Sequence, residues 1–152
     1  MVKLGLIATL SLLVLTLVMG CAGGSAPPAT KPGNSTVTDG VMTTSVDDES
    51  RPTSPVTDTF SANTPAVYCS FKVTGVQPED MIKVGWYYVK GEVKGKENEL
   101  LNETYTIAQS TSESYYLAFY YDKPVSGWYK GDYKVVIYVN NVEKLTVPFK
   151  VN

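Results

Sequence analysis

Residues 131–151 read GDYKVVIYVNNVEKLTVPFKV. Tyr133, Val135, Ile137 and Val139 occupy alternate positions, and so do Leu145, Val147, Phe149 and Val151. Successive side chains of a strand point to opposite faces, so a period of two marks a strand with one buried side. Asn140-Asn141 separates the two runs. Asparagine tolerates the left-handed backbone that a tight hairpin needs. The stretch is therefore expected to be an antiparallel hairpin rich in β-branched and aromatic residues, as strands prefer.

The same period extends toward the amino terminus. Val67, Cys69, Phe71 and Val73 alternate with Tyr68, Ser70, Lys72 and Thr74. Ile82, Val84, Trp86 and Tyr88 alternate with Lys83, Gly85 and Tyr87. Tyr105 and Ile107 alternate with Thr104, Thr106 and Ala108, and Leu117, Phe119 and Tyr121 form one face of a further run. In each run the apolar set is expected to face the core. Breakers stand between the runs: Gly75 to Pro78, Lys90-Gly91, Lys94-Gly95-Lys96, Ser110 to Ser114, Asp122-Lys123-Pro124, Gly127 and Gly131. With a short edge strand near Thr57 to Ser61, about seven antiparallel strands result, and no segment carries a helical period. That count predicts an all-β, two-sheet sandwich over residues 59–152.

Three features sharpen the expectation. Cys69 is followed seventeen residues later by Trp86, and Gly131-Asp132-Tyr133-Lys134-Val135 follows in a later strand. This pattern resembles an immunoglobulin-like or fibronectin-like domain in which Val135 stands where the second cysteine usually does. The resemblance implies that Cys69 and Val135 meet across the two sheets, with Trp86 packed over both. It also implies that Tyr133 is a corner tyrosine, its hydroxyl bonded to nearby backbone. Cys69 then reads as an inert buried thiol.

The amino terminus is different in kind. Lys3 is followed by sixteen uncharged residues, Leu4 to Met19, the pattern of a secretory signal peptide over residues 1–20. The run ends Val18-Met19-Gly20-Cys21. This resembles the lipobox of bacterial lipoproteins. The resemblance implies cleavage between Gly20 and Cys21 and transfer of a diacylglyceryl group to the Cys21 sulfur. Two or three acyl chains, at about 0.8 kcal/mol per buried CH₂, hold a protein on a membrane. The expected location is the extracytoplasmic side of the cell membrane, with the lipid anchor as the membrane partner.

Residues 21–58 hold 21 Ser, Thr, Pro and Gly among 38, and no aromatic. Such a stretch buries too little apolar surface to offset its chain entropy, so it is expected to be a disordered tether. Asp47-Asp48-Glu49 reads as solvated tether charge rather than a cation site. Asn34-Ser35-Thr36 and Asn102-Glu103-Thr104 match the glycosylation sequon, and the lipoprotein resemblance implies that both matches are chance.

Function is bounded mainly by exclusion. The chain has no histidine, which removes His-based catalysis and His-ligated metal, so neither a metal nor a cofactor is expected. The net charge of −2 argues against a nucleic-acid partner. The acids of the folded part, such as Glu79-Asp80, Glu97 and Glu99, sit in turns or beside lysine and glycine, so no enzyme is expected. Tyrosine is in excess. Tyr68, Tyr87, Tyr116, Tyr120 and Tyr138 fall opposite the core positions and form the candidate binding face, with a protein or carbohydrate partner in the envelope. Two functions remain in view. One is an anchored interaction or structural module. The alternative is an accessory, inhibitor-like or carbohydrate-binding subunit of an envelope complex.

Overall fold

The computed structural model describes residues 34–111 and 113–152. The expected signal peptide, the expected lipobox with Cys21 and the first part of the expected tether lie outside the described residues. Eight strands follow one another: β1 (Thr36–Thr43), β2 (Thr59–Phe60), β3 (Ala66–Thr74), β4 (Met81–Gly91), β5 (Glu99–Ile107), β6 (Ser114–Asp122), β7 (Gly131–Val139) and β8 (Val142–Val151). They form a three-stranded sheet, β1-β3-β6, and a five-stranded sheet, β2-β8-β7-β4-β5. The architecture is an all-β, two-sheet sandwich.

Strands β3, β4, β6, β7 and β8 form where the alternation placed them. Asn140 and Asn141 both have positive φ, 51° and 65°, and close the β7–β8 hairpin. Two points of strand composition differ from expectation. There are eight strands among the described residues against about seven expected, and β2 pairs with β8 in parallel: Thr59 stands opposite Lys150, and Phe60 opposite Val151.

The eighth strand corrects the domain boundary. β1 lies inside residues 21–58, which were expected to be tether. It pairs antiparallel with β3 from Thr36 opposite Thr74 to Thr43 opposite Tyr68. Val37 and Met42 are buried in the core. The register slips between Thr38 and Val41, where Asp39 has φ 55°. This bulge breaks the period of two, so Val37 and Met42 are five positions apart yet face the same side. Gly40 allows close packing there, since a Cβ would fall 2.5 Å from the Leu145 side chain. Residues 44–58 are held as well. The Ser54 hydroxyl lies 2.6 Å from the Thr43 hydroxyl, and the Ser70 hydroxyl donates to the Ser50 carbonyl at 2.6 Å.

The core lies between the sheets. Val67, Cys69, Phe71 and Val73 of β3 meet Ile82, Val84, Trp86 and Tyr88 of β4 and Tyr133, Val135, Ile137 and Val139 of β7. Trp86 and Val135 are cross-strand partners, and Cys69 comes from the opposite sheet into the same core. The Tyr133 ring stacks on Phe149 with centroids 5.0 Å apart, and its hydroxyl donates to the Tyr129 carbonyl at 2.6 Å. Trp128, in the connection before β7, packs edge-on against Tyr133 and Tyr121 and donates its indole N–H to the Thr64 carbonyl.

Candidate interaction surface

The five singled-out tyrosines do not share a face, which corrects the expected single binding face. Tyr68, Tyr116 and Tyr120 belong to β3 and β6, and their side chains lie on the outside of the three-stranded sheet. Tyr87 and Tyr138 belong to β4 and β7, and theirs lie on the outside of the five-stranded sheet. Alternation told core side from solvent side within the four strands that carry these tyrosines. It carried no information on which sheet each strand would join.

On the three-stranded sheet, Tyr68 and Tyr120 are direct cross-strand partners with ring centroids 5.5 Å apart. The connection from β1 to β2 folds over the neighbouring positions, burying Ser70 and placing the Arg51 guanidinium 5.5 Å from the Tyr116 ring. Little of this face is left open beyond Tyr120, which is half exposed.

On the five-stranded sheet the two tyrosines make a local network. Their hydroxyls are 3.3 Å apart. Lys83 Nζ lies 5.0 Å from the Tyr138 ring and Lys134 Nζ 5.3 Å from the Tyr87 ring. Lys83 also pairs with Glu103 at 3.3 Å. The hydrogen bond with Tyr87, followed by burial, pushes the Tyr138 hydroxyl up to about 12. The Tyr87 ring lies over Gly85, where a Cβ would come 2.9 Å from Cε2. With Val136 beside Gly85 in register, the ring seals the sheet there. Sugar-binding platforms need open ring faces. These two rings are taken up by their own lysines and by the sheet.

Strand β5 departs most from the sequence reading. Tyr105 and Ile107 were expected inside and Thr104 and Thr106 outside, and the structure reverses them. Tyr105 stands opposite Lys83 and Thr104 opposite Val84, so from Asn102 onward the strand takes the facing of β4, odd positions out and even positions in, and the register slip between Trp86 and Tyr87 sets Leu100 opposite Tyr87 and turns it outward as well. Tyr105 is 65% exposed, Leu100 47% and Ile107 37%. The Thr104 hydroxyl is buried without a hydrogen-bond partner. Neighbouring strands share a pleat, so register overrides hydrophobicity over a short run. The result is an outward apolar row, Leu100, Tyr105 and Ile107, beside the Lys83–Glu103 pair and the Tyr87–Tyr138 network. Apolar and aromatic groups rimmed by balanced charge suit a protein contact.

The remaining polar groups are structural. Asp80 accepts from the Gln77 backbone N–H at 2.8 Å and from the Asn140 side-chain amide at 2.7 Å. The Asn140 side-chain carbonyl in turn accepts from Met81 N–H. This carboxylate ties the β3–β4 turn to the β7–β8 hairpin. Cys69 is fully buried, and burial pushes its thiol up to about 12. Among the described residues no group of three or more His, Cys, Asp or Glu is placed to hold a metal ion. No helix among them is long and apolar enough to cross a membrane.

No family model matches the chain, and no curated protein does. Solved structures resemble its fold. The alkylpurine DNA glycosylase of Pseudomonas fluorescens, bound to DNA containing an abasic site analog, superposes with a TM-score of 0.50 at 12% identity, covering 79% of this chain and 31% of that one. β-Glucosidase 3B from Thermotoga neapolitana, in complex with glycerol, gives 0.49 at 14% identity, over 80% of this chain and 16% of that one. The β-glucosidase from Listeria innocua with gluconolactone gives 0.45 at 10%, over 65% and 15%. The chain thus spans less than a third of each of these larger proteins, and the likeness to the glycosylase is one of fold alone.

Proposed function

We propose that this protein is a lipid-anchored envelope protein, held on the extracytoplasmic side of a membrane through Cys21, that presents its β-sandwich as an interaction module. The contact surface is the outer side of β5, β4 and β7. One observation carries the choice of surface: β5 turns Leu100, Tyr105 and Ile107 to solvent while burying a threonine hydroxyl without a partner. For Tyr105 and Ile107 folding alone would favour the opposite facing, and local inconsistencies of this kind cluster at functional sites. The anchor rests on Val18-Met19-Gly20-Cys21 behind an apolar run.

Each half has its own test. Mass spectrometry of the mature chain should find acyl groups on an amino-terminal Cys21, and Cys21→Ser should abolish them. An unmodified terminus would overturn the anchor. Crosslinking on intact cells should capture a protein partner with the native chain and lose it with the triple variant Leu100→Ser, Tyr105→Ser and Ile107→Ser. Undiminished capture by a folded triple variant would overturn the surface.

A further inference from the structure

Among the described residues, strand β6 is an edge that carries none of the usual protection against pairing. The other three edges of the two sheets do. β1 is interrupted by its bulge, β2 is two residues long, and β5 bears Glu99 and Glu103 and a register slip. Native edges are blunted by such devices. β6 instead matches β3 over nine residues without irregularity, and from Tyr115 to Tyr121 it holds no charge, proline or glycine.

The backbone shows which groups are free. Gly75 N–H donates to the Glu113 carbonyl and Lys123 N–H donates to the Pro65 carbonyl, both in register with the β3–β6 ladder. Odd-numbered residues of β6 therefore turn their N–H and C=O toward β3, and even-numbered ones, Ser114 to Asp122, turn theirs to the open edge. The side of the sandwich beyond that edge is open too. Clefts of about 420 and 360 Å³ separate β5 from β6, lined among others by Asn102, Thr104, Leu117 and Phe119. The core-side row of β6, Tyr115, Leu117, Phe119 and Tyr121, is only half buried in consequence.

We infer that β6 docks a second copy of this chain, strand to strand and antiparallel, about a two-fold axis at Ala118. Only even positions can meet even positions. Centring on Ala118 sets Tyr116 against the second copy's Tyr120 and Ser114 against its Asp122, which forms about ten backbone hydrogen bonds. The same register sets the exposed Glu113 against the exposed Lys123 of the other copy, at both ends. The edge is thus complementary to itself in charge and in aromatic pairing. It also brings the two open clefts mouth to mouth, covering the half-buried rows. This inference goes beyond the anchored-module reading and does not rest on it.

The test uses the full chain in detergent micelles. Antiparallel hydrogen-bonded partners have Cα atoms about 5.5 Å apart, within disulfide reach. Ala118→Cys should therefore give a reducible dimer under mild oxidation. Val142→Cys, exposed at the start of β8, should not, and it also reports any linkage through Cys21. In sedimentation, Lys123→Glu should weaken self-association about tenfold, and adding Glu113→Lys should restore it. A monomeric Ala118→Cys chain, or a charge swap that restores nothing, would overturn the inference. Pairing of β6 with an extended segment of another protein while this chain stays monomeric would overturn it equally.

Discussion

Replacing Tyr133 by phenylalanine removes one oxygen from the most aromatic part of the core. The ring keeps its stack on Phe149 and its edge contact with Trp128, so packing is retained. What is lost is the 2.6 Å bond to the Tyr129 carbonyl. Tyr133 is 3% exposed, so the carbonyl loses a buried donor. Removing one partner of a buried bond costs about 1–3 kcal/mol, and we expect about 2. Unfolding entropies near 2.1 cal/mol/K per residue give about 0.25 kcal/mol per degree for a domain of this size, hence a Tm lower by about 8 °C. Urea and thermal unfolding followed by tryptophan fluorescence would measure it. Alkaline titration supplies a second readout. Burial, with a contribution from Tyr88, raises the Tyr133 hydroxyl well above its ordinary value of 10.0. The neutral hydroxyl is thus favoured by folding. Its stabilisation is complete below pH 10 and is lost as pH rises toward the folded value. The variant should lose stability less steeply than the native chain above pH 10. A Tm within a degree of native, with the same alkaline slope, would refute the account of Tyr133 as a buried, bonded corner residue.

Three further outcomes follow from the same structure. Met42→Ala should cost about 2–3 kcal/mol in urea unfolding, because Met42 is 2% exposed in β1; a tether residue would cost nothing. Thr104→Val should stabilise by about 1 kcal/mol by removing a buried hydroxyl that has no partner, and a destabilised variant would show that the hydroxyl is satisfied. Cys69 should resist thiol reagents in the native chain near neutral pH and react at once in denaturant, since burial both shields the sulfur and holds it protonated.

The hairpin of β7 and β8 was readable because it is long, regular and closed by a turn that only a few residues permit. The corner tyrosine was readable because its surroundings are set by one strand and the loop before it. β1 was not. Its bulge at Asp39 shifts Met42 onto the face of Val37, and its Ser/Thr-rich composition matches that of a linker. The interaction surface was not readable either, because the apolar row on β5 looks like a core face in isolation.

From residues alone follow the strand character from Val67 onward, the absence of histidine chemistry, and the expectation of an anchor at Cys21. Those are local properties, decided by side-chain period, by composition and by a four-residue match. The tertiary structure alone decided that Tyr68 and Tyr87 stand on opposite sides of the molecule, that Tyr105 faces water, and that β6 is an open edge among the described residues. Facing and edge status depend on which strand pairs with which and in what register, and these are set by contacts between residues far apart in the chain.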